Sequence, residues 1–234
     1  MGDICHECGN EYQKIAQHWS ASNCTYQQFS DYQHDVLTGL LMGDGWLSTC
    51  NKRPRISVEL ITKDYLTYLA NEVFPVCSGG VNLKRTAKEA AEVSRKAGFR
   101  PNAKAENYSD IYSWQTTSHP ELEQYREWYS TGEKCFPEDI ELTPTMLKTW
   151  YVCDGFVHND RYPGIALSNE HGARDKIDNM FREQGLTDYY WKVSKTDDKH
   201  ATKPNATVRF RTAGADNFFR YVGSPPPGFE YKFP

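Results

Sequence analysis

Two Asp-Gly pairs, Asp44-Gly45 and Asp154-Gly155, close two apolar stretches of equal length, Leu37-Thr38-Gly39-Leu40-Leu41-Met42-Gly43 and Leu147-Lys148-Thr149-Trp150-Tyr151-Val152-Cys153. Each stretch predicts a helix with small third and seventh positions, Gly39 and Gly43 in one, Thr149 and Cys153 in the other. Small residues four apart share a helix face and let two backbones approach closely. A Gly just past a helix end is the usual left-handed cap, so Gly45 and Gly155 read as helix stops. The aspartates sit against the negative end of a helix macrodipole, a placement disfavoured by ~0.3–1 kcal/mol. If the helices pack together, the two carboxylates also repel each other. A divalent cation held by both is the natural compensation, which makes Asp44 and Asp154 candidate metal ligands.

A second constellation lies at the start of the chain, where Cys5-His6-Glu7-Cys8 is followed by His18 and Cys24. A Cys-x-x-Cys knuckle, then a short helix offering an imidazole and one more soft ligand, resembles a tetrahedral zinc site. Nine residues separate Cys8 from His18, one helical turn fewer than the roughly twelve of the common finger. The expected zinc ligands are Cys5, Cys8, His18 and Cys24, with His6 as the alternative imidazole. Seven cysteines, an odd number, do not make a disulfide framework and fit a reducing compartment.

The elements that would position these groups recur along the chain. Residues 25–30 read as a polar linker, and Ser30-Asp31 as the N-cap of the first apolar helix. Strands are expected at 46–48, 55–61, 81–84 and 108–117, with helices at 64–74 and 120–129. Thr143-Pro144 opens the second apolar helix. Strands then follow at 155–158, 164–168, 188–194 and 206–212, with helices at 173–184, stopped by Gly185, and at 214–222. Both halves read α-β-β-α-β-β-α, an internal repeat of about a hundred residues, and the first is lengthened by an Ala-rich insertion at 85–106.

Charge is distributed unevenly. The formal net charge of −4 argues mildly against a nucleic-acid partner. However, residues 84–106 carry seven Lys/Arg against three Glu, and residues 191–211 carry six against two Asp, each a surplus of +4, while residues 1–35 hold one Lys against five acids. The solvated strand faces would present Arg53, Arg55, Ser57, Lys192, Lys195, Arg209 and Arg211. A β-ribbon has the width to enter a DNA major groove, and such side chains bind phosphates and base edges. At 38% apolar residues, 234 residues can bury a real core. No apolar run has the length of a membrane span or a secretory signal, predicting a soluble, cytoplasmic protein without a membrane partner.

The paired segments 37–45 and 147–155 resemble the two signature motifs of a single-chain LAGLIDADG homing endonuclease. The first keeps Leu37, Gly39, Leu40, Asp44 and Gly45; the second is degenerate and keeps Leu147, Asp154 and Gly155. The resemblance spans about 31–234 and implies an α+β fold in which two pseudo-symmetric αββαββα repeats form a DNA-binding β-saddle, plus the N-terminal zinc module. The implied domains are 1–29 (zinc module), 30–138 (first repeat) and 139–234 (second repeat). It further implies a monomer that cuts both strands of a duplex DNA site, with Mg²⁺ bound by Asp44 and Asp154. A basic residue late in each half, here Lys134 and Lys232, would stand near the scissile phosphates. A polar residue ending the second strand of each half, here Thr62 and Asn169, would help to hold the attacking water. The competing expectation is a protein of the same fold that binds nucleic acid without cutting it, an intron RNA maturase or a DNA-binding regulator.

Overall fold

The computed structural model describes every residue except 1, 49–52, 99, 138, 168–170 and 195–204. The chain divides into two compact units, residues 1–33 with 45–124 and residues 34–44 with 125–234. Each contains a four-stranded antiparallel sheet, as the α+β reading expects.

In the first unit, a hairpin of β1 (Asp3–Ile4) and β2 (Glu11–Tyr12) precedes helix α1 (Ile15–Ala21). Helix α2 (Asp31–Met42) starts here and passes into the second unit from His34. Its start is a reciprocal cap: the Gln33 amide donates to Ser30 Oγ at 3.3 Å and Gln33 Oε1 accepts from the Ser30 amide at 2.8 Å. Strands β3 (Trp46–Ser48), β4 (Arg55–Leu60), β5 (Ser78–Arg85) and β6 (Ile111–Thr116) lie in the order β3-β4-β6-β5. Along β4, Ile56, Val58 and Leu60 are buried, while Arg55 and Glu59 stay partly exposed. Period-two alternation holds at these positions, while Ser57, on the same face as Arg55 and Glu59, is also buried. Helix α3 (Lys63–Tyr68) continues into a wider turn at 69–73, and the basic insertion forms α4 (Ala87–Lys96), opened by a Thr86–Glu89 capping box.

In the second unit, α5 (Pro144–Asp154), β7 (Gly155–His158), β8 (Tyr162–Ala166), α6 (Arg174–Glu183), β9 (Tyr189–Ser194), β10 (Asn205–Phe210) and α7 (Thr212–Val222) follow one another. The strand order β7-β8-β10-β9 reproduces the topology of the first sheet. Thr143 caps α5 by accepting from the Met146 amide at 3.1 Å, and its hydroxyl donates to Asp35 on α2 at 2.7 Å.

Three local expectations change. Residues 25–30 are not a free polar linker: Phe29 is buried, and Thr25 donates from its amide to Glu7 at 3.0 Å. Residues 120–129 coil as a tight 3₁₀ segment rather than an α-helix. Neither Gly45 nor Gly155 adopts a left-handed backbone. Gly155 stands at φ −77°, ψ 151°, leading straight into β7. A Cβ there would come 2.1 Å from the Tyr151 carbonyl oxygen, so close approach, not a left-handed turn, excludes a side chain.

The expected contact between the two apolar helices is present inside the second unit. A Cβ added to Gly39 would meet the Thr149 Cβ at 2.6 Å, and one added to Gly43 would meet the Cys153 Cβ at 2.4 Å. The small residues therefore face each other in register. The bulky neighbours Trp150 and Tyr151 point away into the core, Trp150 against Phe136 and Phe181, Tyr151 against Phe218. Gly43→Ala is expected to force the backbones apart and lower unfolding free energy by about 1–3 kcal/mol. In denaturant titrations, Cys153→Gly added to it should cost less than the two single changes summed. A fully additive pair would place the crowding elsewhere.

Candidate functional site

Helix α5 ends at Asp154, and Asp44 stands two residues past the end of α2. Because Gly43 has no side chain, the Asp154 carboxylate fits beside it: Oδ2 would be 3.3 Å from a Cβ at position 43. The close helix crossing therefore brings the Asp154 carboxylate next to the residue that precedes Asp44. Asp44 is solvent-accessible, yet burial by the surrounding protein raises its carboxyl pKa, with Lys134 and then Lys232 pulling it back down.

Both late lysines are half-buried and tied to the ends of the motif helices. Lys134 Nζ donates to the Gly43 carbonyl at 2.5 Å, and Lys232 Nζ donates to the Val152 carbonyl at 2.8 Å. Helix-terminal carbonyls lack intrahelical partners and carry the negative end of the dipole, so an ammonium group is a favourable occupant. Burial lowers the Lys232 pKa, while Cys153, Asp44 and Asp154 oppose that shift. The Tyr151 hydroxyl donates to the Lys232 carbonyl at 2.9 Å and its ring packs edge-on against Phe233. Tyr151 thus fixes the segment that carries Lys232, a role for which its apolar sequence context gave no signal. The Cys153 thiol is held protonated by burial and by the charges of Asp44 and Asp154.

The strand residues fall into groups. Ser57 is buried between Trp46 and Gln115 in the register of the first sheet. Arg55 Nε donates to Ser118 Oγ at 2.9 Å. Arg53 does not extend into solvent: its guanidinium donates to Ser20 Oγ at 3.2 Å and to the Tyr26 hydroxyl. Thr62 occupies the N-cap position of α3 without making a side-chain cap bond. In the second sheet, Lys192 is exposed opposite Thr207. Arg209 lies over the Phe156 ring at 5.4 Å, and Arg211 lies over Tyr190 at 5.3 Å while pairing with Asp188 at 3.5 Å. Phe156 and Tyr190 were not singled out in the sequence; the strand register sets Arg209 opposite both Tyr190 and Gly164, and Gly164 opposite Phe156. Asn169 and Lys195 lie outside the described residues.

In the N-terminal module, Cys5 and Cys8 flank the β1–β2 turn, His18 lies on α1 and Cys24 follows it. Their donor atoms all lie within 4.8 Å of one another, with Cys8 Sγ 3.6 Å from His18 Nε2. A tetrahedral zinc would separate such donors by about 3.5–3.8 Å. Burial disfavours the Cys5 thiolate, but the Cys8 and Glu7 amides donate to the sulfur and bring its pKa down to about 6. His6 takes no place among the four; its ring meets Trp19 edge-on at 6.0 Å. The described cysteines are all free.

Two topologically identical sheets, each preceded by a motif helix with an aspartate at its end or just beyond it, define a two-motif endonuclease fold. The model of the LAGLIDADG DNA endonuclease family matches residues 34–218, and the chain belongs to that family. No curated protein sequence matches closely enough to count as a relative. Among solved structures, the homing endonuclease I-WcaI, bound to its DNA recognition sequence, superposes with a TM-score of 0.71 over 98% of this chain and 96% of its own, at 14% identity. The I-LtrWI LAGLIDADG homing endonuclease, bound to target DNA, matches 86% of this chain and 87% of its own at 10% identity, with a TM-score of only 0.42. No helix among the described residues is long and apolar enough to cross a membrane.

Asp44 carries a testable linkage. Its folded pKa lies above the ordinary 3.8, so the folded chain holds this proton more tightly than the unfolded chain does. Stability from that proton is lost as pH rises through the folded pKa, and ionised Asp44 is a net cost at neutral pH. Asp44→Asn should therefore raise the thermal midpoint of the metal-free protein at pH 7, and the gain should shrink as pH falls towards 4. A variant no more stable than wild type at pH 7 would contradict the burial argument.

Proposed function

We propose that this chain is a site-specific homing endonuclease that hydrolyses both strands of a duplex DNA target, one copy of the chain supplying both motifs. The observation that carries the reading is the shared end of α2 and α5, where Asp154 lies beside Gly43 and a lysine is fixed at each helix terminus.

Asp44 and Asp154 offer the hard oxygen ligands that Mg²⁺ prefers, and the burial cost of Asp44 is the kind of deficit that a cation removes. When bound, Mg²⁺ would supply Lewis-acid activation and neutralise charge on the reacting phosphates. Lys134 and Lys232 add positive charge that is already in place, because their donated hydrogen bonds fix the ammonium groups before DNA arrives. Thr62 and Asn169 are proposed to orient water. Arg55, Ser57, Lys192, Lys195, Arg209 and Arg211 are proposed to contact the DNA, base edges giving sequence selection and phosphates giving affinity. DNA deformability at the cut site would add selection at positions no side chain touches. Zn²⁺ held by Cys5, Cys8, His18 and Cys24 would be structural, since four protein ligands leave no open position.

Two experiments test this reading. With the target duplex and Mg²⁺, wild type should cut both strands, whereas Asp44→Asn and Asp154→Asn should still bind but lose double-strand cleavage. Lys134→Met or Lys232→Met should slow cleavage by about 10²-fold. A wild-type protein that binds the duplex with these residues intact and never cuts it would instead be a binding member of the family. Separately, elemental analysis should find one zinc per wild-type chain and none in Cys8→Ser. Equal zinc in both proteins would remove the ligand assignment.

A further inference from the structure

The N-terminal module has the outline of a DNA-binding finger but not its charge. Among residues 1–30, Lys14 is the only Lys or Arg, against Asp3, Glu7 and Glu11. Zinc bound by three thiolates and a neutral imidazole would add a further net negative charge. A surface of that sign repels phosphate rather than releasing its counterions.

The contacts of the module run instead into the first sheet. Ser20 Oγ and the Tyr26 hydroxyl lie 2.6 Å apart, and both reach the Ala16 carbonyl, at 2.8 Å and 3.2 Å. Those two hydroxyl oxygens accept the Arg53 guanidinium, whose Cζ also lies 4.8 Å above the Tyr26 ring. Arg53 stands two residues before the start of β4, the strand that pairs with both β3 and β6. Behind this contact an unbroken series of rings leads from the module to the core of the unit: Trp19 to Tyr26, Tyr26 to buried His119, His119 to Phe29, Phe29 to Phe74, and Phe74 to Trp114 on β6.

Besides the metal ligands, the far end of this linkage is held by a few exposed contacts, Thr25 to Glu7, Gly2 to Glu11 and the Tyr12–His18 stack. Helix α1 has seven residues and the strands before it two each, too little for a helix that stands alone in water. The side chains buried within residues 2–24 are few, Cys5, Ile15 and Trp19, and domains this small depend on metals or disulfides. His18 and Cys24 bracket Ser20 in sequence, so an ion that joined them would also set where Ser20 stands.

We infer that the N-terminal module is a metal-set brace for the β3–β4 hairpin, that Arg53 is its positioning residue, and that the module does not itself bind DNA. The assignment rests on the endonuclease reading only in treating that hairpin as part of the DNA-reading sheet. Zinc occupancy would then govern how firmly the first sheet presents Arg55 and Ser57, coupling metal status to target selection with no metal near the phosphodiester chemistry.

Hydrogen exchange on the full chain, without DNA, tests the brace independently of any nuclease activity. Arg53→Met, and separately a zinc-selective chelator applied with Mg²⁺ in excess, should each speed exchange of the amides at 46–48 and 55–57 by about tenfold or more, the size expected for losing a charge-assisted hydrogen bond. Amides of β9 and β10 should be unaffected. Tyr26→Phe, the gentler change, should act at the same amides to a smaller extent, and Arg53→Met should keep its full zinc content. For a random-sequence duplex, the dependence of binding on salt should keep its slope in both Arg53→Met and Lys14→Gln. Unchanged hairpin exchange in Arg53→Met and Tyr26→Phe would overturn the brace. A slope lowered by about one in Arg53→Met or Lys14→Gln would show a phosphate contact there and overturn the claim that the module stays off DNA. Failure to bind any duplex would count against the endonuclease reading and leave the exchange result standing.

Discussion

Everything at the candidate centre depends on how closely α2 and α5 can approach. Gly43 against Cys153, and Gly39 against Thr149, leave no room for a single extra methyl group. This contact overrides ordinary helix propensity, since Gly39 inside α2 costs about 1 kcal/mol relative to alanine. What it secures is a position for charge. With the backbones nearly touching, the helix ends converge, and carbonyls, carboxylates and ammonium groups crowd together in a way two separate helix termini could not achieve. Burial raises the pKa of Asp44 and lowers that of Lys232, and the opposite charges gathered there work against both shifts.

Much of this was legible in the sequence, and the reason is periodicity. Small residues four apart mark a close-packed helix face whatever lies opposite, so spacing alone pairs Gly39 and Gly43 with Thr149 and Cys153. The order of elements along each half followed from the repeat. The Cys/His spacing singled out the four residues whose donor atoms converge. The misreadings share a cause as well. Gly45 and Gly155 were assigned left-handed backbones because that is the common reason for glycine after a helix; here the Tyr151 carbonyl excludes a side chain at 155, a contact that propensity cannot reveal. Residues 25–30 looked polar because Gln27, Gln28 and Ser30 outnumber Phe29, yet Phe29 and Tyr26 decide where that segment docks.

The arginines carry the same lesson. Position along a strand says which face a side chain starts from, not what its far end meets. Arg55, Arg209 and Arg211 each have a partner on their own sheet or its flank, respectively Ser118, Phe156 and Tyr190. Such guanidinium groups are held in preferred positions before a ligand arrives, which reduces the entropy lost on binding. Arg53 has the same type and strand context, yet its guanidinium is held by two hydroxyls contributed from more than twenty residues upstream.

The division of the chain bears on how it folds. Residues 34–44 count with the second unit although the strands that follow them belong to the first. As the polypeptide emerges during synthesis, the first sheet can pair as soon as β6 is complete, but the apolar segment Leu37–Met42 lacks α5 until at least another thirty residues are made. During that interval a wholly apolar helix face has no permanent cover, the situation in which nascent chains are held by chaperones or associate wrongly. A gene split between the two repeats would make that interval permanent, so the two halves would be obliged to find each other as separate chains.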